Sequence, residues 1–289
     1  MTMPMVLTLD GAPFPASMIG ALLDLTLHQS FGAPAVLQIR LVFQNSGLPD
    51  PVRPGMPIGL SVRGQPTPLF TGRVAGIALD YPARGMPTLQ ISAYDGLQPL
   101  SCRQSMLALQ DASAADLAAR LAADLGLDSH CAAETPTHPL IQQQPQQTDL
   151  GLLADIAAGA GLSVVLRGDV LMLIPAAGDG DEAVPLRHGH TLLSLRVSAR
   201  SDPWPPGAQT GPQDQVARTV VAEGMAEGEA RLIPGRIVRL DGVHLGLGGP
   251  HVLTRTTHRL TAAEGYVTEF STEPPRRPRV QVSDGDDRR

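Results

Sequence analysis

The sequence contains no lysine, and all 22 of its basic residues are arginine. A codon bias that also raises Ala, Gly and Pro explains this absence better than selection for the bidentate contacts of guanidinium groups. Aromatic residues make up only 3% of the chain, which argues against stacking platforms for nucleic acids or sugars. The net charge is −6, and the folded part has no basic cluster. These features disfavour nucleic-acid binding.

Cysteine and long apolar runs are also scarce. The two cysteines, Cys102 and Cys131, fit a reducing compartment and exclude a disulfide framework. The first basic residue is Arg40, so the charged start of a secretory signal is missing. The most apolar stretch, 150–174, is interrupted by charges and predicts a helix and a hairpin rather than a membrane span. We therefore expect a soluble protein made in the cytoplasm, with no direct membrane insertion.

A short sequence pattern occurs twice, once near each end of the chain. Each copy predicts a Pro-Gly turn followed by three strands. The first copy comprises Pro54-Gly55 and the strands 58–62, 70–74 and 89–94, and the second comprises Pro234-Gly235 and the strands 237–240, 251–256 and 266–270. Two copies of one small β unit suggest a component of an assembly with internal pseudo-symmetry rather than an enzyme with one cleft.

The middle of the chain changes from strand to helix periodicity. Ser113 and Asp116 form a capping-box pattern, apolar residues follow every four positions, and Gly126 suits a left-handed helix end. A second helix is expected to begin at Thr148 and to stop at Gly161. Two apolar runs, 162–166 and 170–174, then flank a Gly-Asp turn. This pattern predicts a small helix–helix–hairpin insert over about 101–175.

The predicted fold class is mainly β (α+β), with two tube-like β-barrel units in one chain and the small insert between them. We expect a first barrel at 1–100, an α/β insert domain at 101–190 and a second barrel at 191–273. Four prolines predict an irregular loop at 201–216, and a tail rich in Pro, Arg and Asp at 274–289 is expected to be disordered.

The order of β unit, helical insert and β unit resembles the late control protein D family. These are the central baseplate hub proteins of contractile phage tails and related injection machines, similar also to the N-terminal part of type VI secretion spike proteins. The resemblance covers about 5–273 and rests on Phe70-Thr71-Gly72-Arg73-Val74, Ser92-Ala93-Tyr94-Asp95-Gly96-Leu97, Gln147-Thr148-Asp149-Leu150 with Gly161-Leu162, Leu232-Ile233-Pro234-Gly235, Val252-Leu253-Thr254 with Thr257-His258, and Gly265-Tyr266-Val267-Thr268.

The resemblance implies a homotrimeric structural protein that adapts a trimeric spike to a hexameric inner tube and also meets the baseplate wedge proteins. Three chains with two similar units each would present six. The family's spike fusions carry a further barrel and a β-helix that are missing here, so the spike is expected to be a separate protein. The expected location is the baseplate of a phage tail or phage-tail-like particle.

The sequence predicts no catalytic, cofactor-binding or metal-binding residue. His188 and His190 could supply two metal ligands, but a surface turn at the entry to a strand explains them better. Asp80 and Asp95 each follow or precede a tyrosine at a predicted strand end, where aspartate usually serves turns. The alternative functions are a cell-wall glycan hydrolase that uses these aspartates, and a carbohydrate-binding module, which a single Trp and three Tyr disfavour.

Overall fold

The computed structural model describes residues 5–42, 52–201, 218–243 and 249–272. The C-terminal tail lies outside these ranges, and so does the Pro-rich loop apart from Ser201, which ends a strand. The longest helix in the described ranges has 12 residues, and none of the described helices has both the length and the hydropathy needed to cross a bilayer.

The described chain is mainly β, as the sequence predicted. Its helices are α1 Ala16–Gly20, α2 Gln98–Cys102, α3 Ala114–Leu125 and α4 Asp149–Gly159. Its strands are β1 Met5–Leu9, β2 Ala12–Pro13, β3 Leu22–Ser30, β4 Val36–Val42, β5 Pro57–Val62, β6 Phe70–Asp80, β7 Thr88–Tyr94, β8 Ala108–Ala112, β9 Asp128–Cys131, β10 His138–Gln142, β11 Leu162–Arg167, β12 Val170–Pro175, β13 Val184–Arg187, β14 Leu192–Ser201, β15 Arg218–Glu227, β16 Ile237–Asp241, β17 Gly249–Val252, β18 Arg255–Thr261 and β19 Gly265–Ser271.

The first β unit closes around an apolar core supplied by alternating strand positions. In β3, Leu25 and Leu27 are fully buried, and in β4 the same is true of Leu37 and Ile39. Side chains that alternate in a strand point to opposite faces, so these positions all face one core. The core also takes in β1, β5, β6 and β7, and from the second unit the buried Leu260 with Ile233 and Tyr266 packed against it.

The insert contains the two predicted helices and the predicted hairpin, with their expected ends. Ser113 and Asp116 form the capping box of α3, and Gly126 ends that helix at a φ of 69°. Thr148 caps α4 by accepting a hydrogen bond from Gly151 N–H at 3.1 Å. The helix–helix–hairpin prediction was incomplete, because the insert also holds α2, an antiparallel β8–β10 pair and β9, which runs parallel to β12.

The second β unit has its own apolar core, formed by β13 to β16 and β19 together with Leu232 and Leu253. The strand predicted at 251–256 was wrong as a single element. The structure divides it into β17 and β18, which belong to different sheets. The two units share one sheet, because β18 of the second unit pairs with β3 of the first along seven residue pairs. The sheet order is β14-β15-β19-β18-β3-β4-β7-β6-β5-β1-β2.

Candidate functional site

The two Pro-Gly turns form the same hydrogen bonds. Gly55 N–H donates to the Val74 carbonyl at 2.7 Å, and Gly235 N–H donates to the Leu253 carbonyl at 2.7 Å. In both copies the return bond, from the N–H of Val74 or Leu253 to the residue after the glycine, measures 2.9 Å. The two glycines have φ values of 89° and 92°, a region that glycine reaches without strain. The repeat therefore extends to backbone conformation.

Strand pairing repeats with the same register in both units. The ladder between β4 and β7 has its counterpart between β15 and β19, and that between β5 and β6 has its counterpart between β16 and β17. Even a register irregularity in the first strand pair recurs at the same place. It falls between Leu22↔Leu41 and Asp24↔Arg40 in β3–β4, and between Leu192↔Ala226 and Ser194↔Met225 in β14–β15.

The split strand of the second unit is a stronger form of a bulge in the first. In β6 the register with β7 shifts between Val74 and Gly76, so Ala75 is the extra residue. The counterpart of Ala75 is Thr254, which lies in the gap between β17 and β18. At this point β6 bends but stays one strand, whereas the second copy turns between two sheets. The sequence pattern alone did not show that the first copy forms one bent strand and the second copy forms two strands.

The two β units meet where β3 pairs with β18, and we call this pairing the joint. Leu25 lies opposite Leu260 and Leu27 lies opposite His258, and all four side chains are buried. On the other face of the sheet, His28 Nδ1 lies 3.0 Å from Thr257 Oγ1. The joint therefore has an apolar face and a polar face, which fixes the register of the two strands.

His258 is fully buried at this joint. Its Nδ1 lies 2.9 Å from the Tyr266 hydroxyl and 3.2 Å from Thr268 Oγ1. Burial lowers the pKa of His258 to about 4, so the imidazole is neutral near pH 7. Burial also raises the pKa of Tyr266. The sequence patterns did not indicate this structural role for His258.

Asp95 stabilises a turn at the end of β7, as its position predicted. Its carboxylate accepts hydrogen bonds from Ala35 N–H at 2.9 Å and from Leu97 N–H at 3.0 Å. Burial raises its pKa to about 6, partly offset by these two bonds. Asp80 ends β6 opposite Thr88, seven residues along β7 from Asp95. At the rise of an extended strand, the two carboxylates are about 20 Å apart, well beyond the spacing of a glycosidase pair.

A second buried carboxylate, Asp149, connects the parts of the insert. It accepts hydrogen bonds from Arg103 Nε at 2.6 Å, from both the N–H and the hydroxyl of Ser105, and from Gln143. Burial would raise the pKa of Asp149, but the hydrogen bonds from Ser105 and Arg103 outweigh it and hold the pKa below its usual value. The Asp149 side chain is fully buried, and these contacts join the start of α4 to the segment before β8 and to the residue after β10.

The remaining candidate residues lie in surface turns. His188 and His190 are exposed, and His190 N–H closes a turn on the Arg187 carbonyl. Gly168 and Asp169 form the two-residue loop between β11 and β12, with Gly168 at a φ of 61°. Within the described ranges no group of three or more His, Cys, Asp or Glu residues is placed to hold a metal ion.

Several solved structures have the same fold over nearly the whole chain. The 43 kDa tail protein of prophage MuSo2 from Shewanella oneidensis matches with a TM-score of 0.70 and 13% identity, covering 94% of this chain and 98% of that one. A tail protein from Neisseria meningitidis MC58 matches with a TM-score of 0.71 and 14% identity, covering 93% and 95%. The chain has the fold of phage tail proteins.

The same fold extends to a secretion-system protein. The Escherichia coli c3393 protein, a component of the type VI secretion system with structural similarity to the T4 tail proteins gp27 and gp5, matches with a TM-score of 0.66 and 12% identity. The match covers 94% of this chain and 79% of that protein. No protein-family model matches the sequence, and no curated protein matches it either. The likeness therefore lies in the fold, at sequence identities of 12–14%.

Proposed function

We propose that this chain is a structural hub in the baseplate of a contractile tail or injection machine, of the late control protein D type. In this proposal three copies form a ring that carries the first ring of a hexameric inner tube on one face and a trimeric spike on the other. Baseplate wedge proteins contact its outside. The observation that carries the proposal is the repetition of turn geometry and strand register in the two β units.

The repeat supports this role through symmetry. A homotrimer of a chain with one β unit presents three similar surfaces, whereas a homotrimer of this chain presents six. A sixfold tube can then contact equivalent backbone at every position. The insert, with its own apolar core between the two units in sequence, occurs once per chain and so keeps the threefold character that a trimeric spike requires. We expect the insert to lie on the outside, towards the wedge proteins or the neighbouring copy.

The fold comparisons support the same assignment, because the matching structures include two phage tail proteins and a type VI secretion component. The proposed role depends on surfaces and needs no catalytic residue. The hydrolase alternative requires paired carboxylates, and the two aspartates considered for it lie at opposite ends of the β6–β7 pair. No observation on the described residues favours it.

The test is the mass of the full-length protein in solution, followed by binding assays. Light scattering after size exclusion is expected to give about three times 30.4 kDa. The tube and spike proteins encoded beside it should each co-purify with that species. A monomer that binds neither partner at high concentration would contradict the proposal. Clearing of a peptidoglycan suspension, abolished in Asp95→Asn, would instead identify a hydrolase.

A further inference from the structure

Two of the strand edges that lack a partner in the described part of the chain belong to β14 and to β6. β14 pairs only with β15, so one of its edges has no described partner. In β6 the pairing with β5 ends at Arg73, and residues 76–80 pair only with β7 among the described strands. We call these the β14 edge and the β6 edge. Open edges of this length invite pairing with another strand.

The internal repeat shows what their counterparts do. The counterpart of β14 is β3, and the counterpart of residues 76–80 of β6 is the first part of β18. Within one chain β3 and β18 pair with each other, from Arg255↔Ser30 to Thr261↔Asp24. The two edges that pair with each other where the units join are thus equivalent to the two open edges, on β14 and β6.

We infer that the β14 edge of one copy pairs antiparallel with the β6 edge of the next copy, in the register of the β3–β18 joint. The inference rests on the trimer proposed above and identifies its contact. We apply the register of the β3–β18 joint to the β14 and β6 edges. This places Ala78 opposite Ser198, Leu79 opposite Val197, Asp80 opposite Arg196 and Tyr81 opposite Leu195. The partner of each edge is therefore a second copy of this chain.

The side chains fit this register, although the register was derived from backbone pairing alone. Leu79 and Val197 are each half-buried against their own core, so the contact joins two apolar faces. Tyr81, which is 63% exposed, would cover Leu195 on that same face. A slip of one residue would place Leu79 opposite Arg196 or Ser198 and lose this match.

The opposite face supplies a charge pair. Asp80 and Arg196 are both exposed in the single chain, and the register places them directly opposite each other. Opposite charges at such cross-strand positions stabilise pairing. The internal joint has Thr26 opposite Arg259 at this position, and Arg259 binds Glu264 and Glu269 of its own unit. Only the contact between copies would therefore carry a charge pair across its strands.

The contact joins unlike surfaces, so each copy uses one β14 edge and one β6 edge. Contacts of this kind either close into a ring or continue into an open filament. The trimer requires closure after three copies, with the β14 edge and the β6 edge of every copy paired. Closure would also account for the absence of a described blocking element on either edge, because a closed ring leaves no edge for further growth.

A disulfide tests the register directly. His28 and Thr257, the internal counterparts of Ser198 and Ala78, already approach to 3.0 Å. We would place Ala78→Cys and Ser198→Cys in the full-length chain with Cys102→Ser and Cys131→Ser, and oxidise it mildly at the concentration where it assembles. The expected product is a disulfide-linked trimer on a non-reducing gel. The matched control is Ala78→Cys with Ser194→Cys, which stays on the same strand face but four residues away and should remain largely unlinked.

The possible outcomes distinguish a failure of the proposed contact from a failure of the hub proposal. Linked trimers from the 78/198 pair alone support the inference. A trimer in solution that does not link, or that links through the 78/194 pair, overturns the register and leaves the proposed hub standing. Linked chains that grow past the trimer support edge pairing but overturn ring closure. A monomer that does not link overturns both proposals.

Charge reversal gives an independent measurement. Asp80→Arg or Arg196→Asp should weaken assembly several-fold, and the double variant should recover most of the loss. Single and double variants that all assemble like the parent protein would overturn the assignment of this pair.

Discussion

Two buried groups with opposite pKa shifts make the stability of this protein testable by pH. Burial holds the folded-state pKa of His258 at about 4, below the ordinary histidine value of 6.5. As the pH falls between these values, the unfolded chain takes up the proton first, so the folded state loses stability. From about pH 7.5 to about pH 5 the loss is about 2 kcal/mol.

Asp95 acts in the other direction. Burial raises its folded-state pKa to about 6 from the ordinary aspartate value of 3.8. As the pH falls through 6, the folded state takes up the proton first and gains stability. Over the same pH interval this gain is about 1 kcal/mol. In the parent protein the two effects partly cancel, so together they should lower the unfolding free energy by about 1 kcal/mol over this interval.

Removing either group should reveal the pH dependence of stability that the other group produces. In His258→Leu, which installs the residue found at the counterpart Leu79, unfolding free energy should rise by about 1 kcal/mol on acidification. In Asp95→Asn it should fall by about 2 kcal/mol over the same interval. Both variants also lose hydrogen bonds, so each is expected to be weaker than the parent at neutral pH.

The assay is urea unfolding at several pH values and at one protein concentration, since oligomer formation adds its own stability. The slopes of the two variants against pH must have opposite signs. Parallel pH profiles for the parent and His258→Leu would refute the conclusion that His258 is neutral and buried at the joint. His190→Gln, at an exposed turn away from the joint, is the control for the loss of a histidine as such.

Two further predictions use residue pairs that the fold provides. Gly55→Ala should cost about 1 kcal/mol in unfolding free energy because of its positive φ alone. Gly235→Ala should cost about 1–3 kcal/mol more, because the added Cβ would collide with Ile174. Equal losses of the two variants in urea unfolding would contradict this. Asp149→Ala should cost about 3 kcal/mol or more, since it leaves Arg103 and Ser105 without their buried partner, whereas Asp124→Ala removes an exposed partner of the same arginine and should cost less than about 1 kcal/mol. A comparable loss in both variants would contradict the structural role of Asp149.

The repeated β unit was predictable because its signals are local. A positive φ at Gly55 and Gly235 follows from the Pro-Gly pairs, and alternation marks the strands on either side. Helix ends in the insert were predictable for the same reason, since Ser113 and Gly126 act on their own helix. The short strands β8 and β9 were missed because neither carries a clear alternation of apolar and polar residues.

The joint between the units could not be predicted from these patterns. It pairs Leu25 with Leu260, residues far apart in sequence, and nothing local in either strand specifies the other. The repeated sequence pattern did not include the first two strands of each unit, whose connection is residues 31–35 in one copy and 202–217 in the other. The buried roles of His258 and Asp149 also depend on residues distant in sequence, so they became visible only in the fold.

End-on images of the assembled protein by electron cryomicroscopy test the central claim most directly. The account predicts a closed ring with threefold symmetry and six similar β lobes around a lumen, with the insert contributing density beside the ring at three positions. A ring with three lobes, or an open chain of copies, would contradict it.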